Sequence, residues 1–148
     1  MSSVWQRIHW LLSGVPEAAL SNRTAIVALV GEQERSLLSV LTQQKWDVHF
    51  AESGEQAQVI SNQLSAPMIL YDRDWPHLEW RAVVRKFASS PHRPCVILLS
   101  RVADEYLWDE LIRHGGYDIL AKPLRPDDVA RVMKLALSYW KTAGPITR

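Results

Sequence analysis

The sequence contains a single cysteine, Cys95. A lone thiol excludes an intrachain disulfide framework and a cysteine metal cluster, suits a reducing compartment, and is expected to serve packing. Neither sign of charge dominates: 17 Lys and Arg stand against 16 Asp and Glu, interspersed along the chain. That balance leaves no broad field for nucleic acid or an anionic membrane, so partners are expected to bind by shape. No apolar run approaches the ~20 residues of a membrane span, and no small-residue cleavage pattern follows a basic start; the expected location is the cytoplasm. The five histidines show no pairing at metal-ligand spacing, and there is no Gly-rich phosphate loop, internal repeat or low-complexity tract.

What is present is a chain of 148 residues, enough for one domain with a sizeable core. Apolar runs with β-branched content occur at Ala25–Val30, Val48–Ala51, Met68–Tyr71, Cys95–Leu99 and Tyr117–Ala121. Several are continuous rather than alternating, as in strands covered on both faces of a parallel sheet. Between them the period changes to that of helices. Leu37, Leu38, Val40 and Leu41 form the first apolar side, and Ala57, Val59, Ile60 and Leu64 the second, after a Ser53–Gln56 start resembling a capping box. Val83, Val84 and Phe87 mark the third, and Leu107, Trp108, Leu111 and Ile112 the fourth. The fifth opens on Pro126 with Asp127 and Asp128 in its first turn, and repeats Val129, Val132, Met133, Ala136, Leu137 and Trp140. Five alternations of strand and helix indicate a three-layer α/β domain with a parallel sheet and right-handed connections.

Residues 1–22 stand outside this pattern. Val4, Ile8, Leu11 and Leu12, with Trp5 and Trp10, read as a short amphipathic helix ahead of Gly14–Pro16. Packing on its own domain and contact with a second copy or a partner are both open for that segment. The expected division is a 1–22 extension, a 23–141 domain and a 142–148 tail.

In open parallel sheets, ligands gather at the carboxyl ends of the strands. Strand three runs into Asp72, strand four into Ser100, and strand five into Lys122 before Pro123. A carboxylate, a hydroxyl and an ammonium converging there suit phosphoryl transfer to an acid, the carboxylate attacking while the other two hold the oxygens of the arriving group. A plainer reading of Asp72 is that it caps the turn after the strand.

The segments "MILYDRDWPHLEW", "VILLS", "GGYDILAKPLRPDDV" and "KWDVHFAESGEQA" together resemble the receiver domains of two-component response regulators, over about Arg23 to Lys141. The resemblance implies a flavodoxin-like fold of strand order 2-1-3-4-5, with Asp72 at the phosphoacceptor position and Ser100 and Lys122 as its companions. It also implies a non-enzymatic signalling module that works with a histidine kinase or downstream effector through helix four, strand five and helix five, with a homodimer as a further option.

Three departures from the family stand out. The family holds Mg²⁺ with an acidic pair after strand one, where this chain reads "AIVALVGEQER". An ungapped match puts Ala28 and Leu29 at the pair positions, and a shortened loop puts Gly31 and Glu32 there. With Asp72 and at most Glu32 as ligands, an ion that takes about six oxygens in strict geometry is poorly held. Asp74 is open to two readings, a substitute carboxylate or an exposed loop acid. Arg101 replaces a small residue, and either reaches Asp72 in place of metal or phosphate or points to solvent. Ile119 stands where the family commonly has a switching Tyr or Phe, and its restricted χ1 makes it a poor switch. The expectation is an atypical, stand-alone receiver with weak or absent Mg²⁺-dependent phosphorylation. An active phosphoacceptor on Asp72, and a small flavodoxin-like enzyme or nucleotide binder, are the alternatives.

Overall fold

The structure, a computed structural model, describes residues 23–41, 45–74 and 79–143. Five strands and five helices alternate: β1 Thr24–Leu29, α1 Glu32–Leu41, β2 Trp46–Phe50, α2 Gly54–Leu64, β3 Met68–Asp72, α3 Trp80–Ala88, β4 Cys95–Ser100, α4 Glu105–Arg113, β5 Asp118–Ala121 and α5 Pro126–Ala143. The strands pair in parallel in the order β2-β1-β3-β4-β5, the flavodoxin-like arrangement expected from the sequence. The amphipathic helix expected within residues 1–22 lies outside the described residues. Strand β2 begins at Trp46 rather than Val48, because its ladder with β1 starts at the Thr24–Trp46 pair.

Side chains alternate across the sheet with a period of two, and this divides the core. On one face Ile26, Ala28, Met68, Leu70, Ile97, Leu99 and Leu120 pack under α1 and α5 with Leu38, Val132, Met133 and Ala136. On the other, Val27, Leu29, Ile69, Tyr71, Val96 and Leu98 pack under α2, α3 and α4 with Ala57, Val84, Phe87, Leu107 and Leu111. Every residue of β3 and β4 is buried, which is why these runs read as continuous rather than alternating. Burial of Cys95 pushes its thiol up to about 12, which leaves it protonated and a packing group.

Helix ends follow local chemistry. The Ser53 hydroxyl accepts from Gln56 N at 3.1 Å, while the Gln56 side chain reaches back to Glu52 N at 2.6 Å. The box is thus closed one residue upstream of its usual partner. Asp104 Oδ1 caps α4 by accepting from Leu107 N at 2.9 Å. After α4 the chain turns at Gly115, whose φ of +96° is one that side chains rarely adopt.

Several residues assigned to apolar helix faces lie outside the core. Val40, Val59, Trp108 and Ile112 are exposed. Each neighbours another apolar residue in sequence, and successive helical residues are about 100° apart, so a single sheet face cannot take both. On α4 the sheet takes Leu107 and Leu111, leaving Trp108 and Ile112 outward.

Leu98→Ala, at the centre of a fully buried strand, is expected to cost about 2–5 kcal/mol, and Val59→Ala at an exposed site within about 0.5 kcal/mol. Urea unfolding followed by circular dichroism measures both.

Candidate functional site

Strand register brings the site together. Leu29 pairs with Tyr71 and Asp72 with Leu99, so Val30, fully buried, follows β1 at the level of Asp72. By the same alternation Asp72 continues the Met68 and Leu70 side of β3, and Lys122 continues the Leu120 side of β5. Both lean toward the α1 and α5 face, whereas Ser100 continues the Val96 and Leu98 side.

The consequence is an ion pair across the crevice. Lys122 Nζ donates to Asp72 Oδ1 and Oδ2, both at 2.9 Å, and stands 3.2 Å from Asp74 Oδ2. The Asp72 side chain is only 1% exposed, and those of Lys122 and Asp74 11% and 13%, so the contacts are made with little competing water. Asp72 also caps its turn, since Asp74 N donates to Asp72 Oδ1 at 2.9 Å. The turn-capping reading of Asp72 is thereby met, by a carboxylate that also faces Lys122.

Asp74 is not an exposed loop acid. Arg101 N donates to Asp74 Oδ2 at 2.9 Å and the Arg101 Nε lies 3.4 Å from the same oxygen. Burial alone would raise the Asp74 carboxyl, but the Arg101 amide and the Lys122 ammonium more than offset it and hold the group below the usual carboxylate range. Burial likewise disfavours the charge on Lys122, and the bonds to Asp72 and Asp74 override it, raising its pKa.

Two site expectations need correction. Arg101 does not bond Asp72: Lys122 takes both Asp72 oxygens, and the guanidinium, 76% exposed, is left with Asp74. Glu32 is exposed as the first residue of α1 and makes no bond with this cluster. The cation the sequence reading missed is Arg73. Its Nη1 donates to Ser100 Oγ at 3.3 Å and lies 3.7 Å from Asp74 Oδ1. Ser100 Oγ also accepts from Val102 N at 3.1 Å. In sequence Arg73 was only the residue between two acids. That it faces Ser100 follows from the bond between Arg73 N and Leu99 O, 2.8 Å, which lays the turn along the end of β4.

A divalent ion needs several oxygens free of other partners. Here both Asp72 oxygens serve Lys122, Asp74 Oδ2 serves Lys122 and Arg101, and the β1 end contributes the buried apolar Leu29 and Val30. No group of three or more His, Cys, Asp or Glu that could hold a metal stands among the described residues. In this arrangement the Lys122 ammonium neutralises the two carboxylates. Beside it opens a cleft of about 510 Å³ reached by Lys122, Arg101 and the first turn of α1.

No family model matches the chain. It is 25% identical over 116 residues to the regulatory protein AtoC of Escherichia coli (strain K12), covering 78% of this chain and 25% of AtoC, so it spans about a quarter of that relative's length. Among solved structures, the receiver domain of the TMAO respiratory system response regulator TorR is 25% identical, with a TM-score of 0.65 over 76% of this chain and 95% of that one. The CheY-like receiver domain protein from Methanospirillum hungatei JF-1 has a TM-score of 0.70 at 16% identity, covering 82% of this chain and 99% of that one. A two-component response regulator from Clostridium difficile has a TM-score of 0.69 at 16% identity, covering 78% and 97%. In fold and in the order of its motifs the chain is similar to the receiver domains of two-component response regulators.

Removing one partner from a buried ion pair strands the other charge. Lys122→Met is therefore expected to cost about 3–5 kcal/mol, and the double variant Asp72→Leu/Lys122→Met to recover most of it; a denaturation double-mutant cycle tests this. Because the folded Asp74 pKa is depressed, its contribution is complete above the unfolded value near ~4 and is lost as pH falls through the lower folded value. Asp74→Asn is expected to flatten the acid limb of stability against pH, read by chemical denaturation across that window.

Proposed function

We propose that this chain is an atypical receiver module that signals by protein–protein contact, with its acceptor site held by an internal salt bridge rather than by Mg²⁺ and phosphate. The observation that carries the reading is the pair of hydrogen bonds Lys122 Nζ donates to Asp72, 2.9 Å to each oxygen, with Asp74 at 3.2 Å. For Asp72 to attack a phosphorus atom, one oxygen must leave that ammonium. The arriving dianion would then meet two carboxylates, with Arg73 already engaged by Ser100 and Asp74. With no acidic pair at the β1 end, no divalent ion offsets this repulsion. The module itself catalyses no reaction in this reading.

Output is assigned to the α4, β5 and α5 side, where a histidine kinase or downstream effector would dock. Tyr106 and Trp108 on α4 and Leu135 and Tyr139 on α5 are large apolar side chains left exposed. Such aromatics are the usual anchors of a recognition surface. Ile119 of β5 is half-buried against the α2, α3 and α4 side of the core, and its single preferred χ1 suits a fixed surface rather than a rotameric switch. No helix among the described residues is long and apolar enough to cross a membrane.

A second reading, an active phosphoacceptor, is favoured by one observation: Asp72 and Lys122 meet at the carboxyl ends of their strands, where chemistry is placed in this fold class. Incubation with acetyl phosphate and Mg²⁺ followed by intact-mass measurement separates the two. No adduct is expected, and a stoichiometric one that disappears in Asp72→Asn overturns the first reading. Trp108→Ala is expected to weaken binding of a purified partner by about tenfold or more, measured by calorimetry, with the unfolding midpoint unchanged.

A further inference from the structure

The cleft of about 510 Å³ beside the ion pair is formed by three separate segments: Gln33, Glu34 and Leu37 from α1, Arg101 after β4, and Pro123 and Leu124 after Lys122. Its size falls in the range of small-molecule sites, and its lining is of three kinds. Leu37 and Leu124 are half-buried and offer apolar surface to a ligand body. Arg101 is anchored to Asp74 by its backbone N and Nε, and its two terminal nitrogens have no partner among the described residues, leaving a planar fork of donors suited to a carboxylate. The Glu34 carboxylate and Gln33 amide likewise have no side-chain partner among the described residues. Glu34 disfavours a bare anion and favours a molecule that brings its own N–H or O–H donor. Lys122, its ammonium already shared by three carboxylate oxygens, contributes its field rather than a new bond.

From this combination we infer that the cleft binds a small amino- or hydroxy-carboxylate with an apolar side chain: the carboxylate on Arg101, the adjacent ammonium or hydroxyl on Glu34, and the hydrocarbon over Leu37 and Leu124. Each part of the ligand answers one part of the lining. The inference goes beyond the function proposed above. Occupancy requires no phosphoryl chemistry at Asp72, and it would stand if Asp72 did accept a phosphoryl group. Bound there, the ligand touches both the start of α1 and the segment leading into α5, so it favours whichever arrangement of those helices closes the cleft.

The test is calorimetric titration of the full chain with L-leucine, L-phenylalanine and 2-hydroxyisocaproate, against isocaproate, isoamylamine and inorganic phosphate as controls. At least one of the first three is expected to saturate with a Kd of about 1 mM or tighter, and each control to bind about tenfold more weakly or not at all. Arg101→Ala and Glu34→Gln, both on side chains outside the core, are each expected to weaken that binding by about tenfold, with circular dichroism unchanged. Absence of saturable binding by all three, equal binding of phosphate or of a control lacking one head group, or indifference to Arg101→Ala overturns the proposal. Amide chemical-shift changes confined to Gln33–Leu37, Arg101 and Leu124 would support it, and changes centred elsewhere would overturn it.

Discussion

An ammonium held between two carboxylates, all three largely removed from water, organises this end of the domain. Taking Asp72 out of solvent costs several kcal/mol, and only a well-placed opposite charge with further hydrogen bonds offsets that. Lys122 supplies the charge through both Asp72 oxygens, and Asp74 N supplies the further bond. Asp74 in turn is held by Lys122 and Arg101, and Arg73 ties the same loop to Ser100. Five charged groups from three strand ends thus form one network. A metal, phosphate or ligand entering at Asp72 would compete with these bonds.

The sheet makes this network possible. Parallel pairing delivers the carboxyl ends of β3, β4 and β5 to one edge, and side-chain alternation decides which groups share a face. Asp72 and Lys122 fall on the α1 and α5 side, which is why they meet each other and why the cleft beside them is walled by α1 and the β5–α5 connection. Ser100 falls on the other side and takes Arg73 as its neighbour. A buried sheet also leaves the helices to present the surface. Their spare apolar residues, Tyr106, Trp108, Leu135 and Tyr139, face solvent.

Much of the fold could be read from local pattern. Continuous apolar runs marked β3 and β4 as strands buried on both faces, and Pro126 with two following acids marked the start of α5. Ser53 and Gln56 announced α2. The errors were of facing rather than of element. Val40, Val59, Trp108 and Ile112 were assigned to buried sides because apolar character says nothing about which of two neighbouring residues a single sheet face has room for. In the site, Asp72 and Lys122 were identified as converging, since a strand end and a strand-end Lys-Pro are sequence-local features. Arg73 was passed over and Arg101 left open between Asp72 and solvent, because both assignments depend on side-chain reach across a loop.

The amino-acid order by itself determined the alternation of strand and helix and the run of Asp72, Ser100 and Lys122 at successive strand ends. Periodicity and strand-end position are properties of the chain taken a few residues at a time, and need no knowledge of neighbours in space. Which charge answers which was decided only in three dimensions. Lys122 claims Asp72 because their strands' pleats put them on one face at 2.9 Å, and Arg101, its backbone N bonded to Asp74 Oδ2, lies beside Asp74 instead. Electrostatic pairing falls off with distance and is set by burial, and neither quantity exists until the sheet has closed.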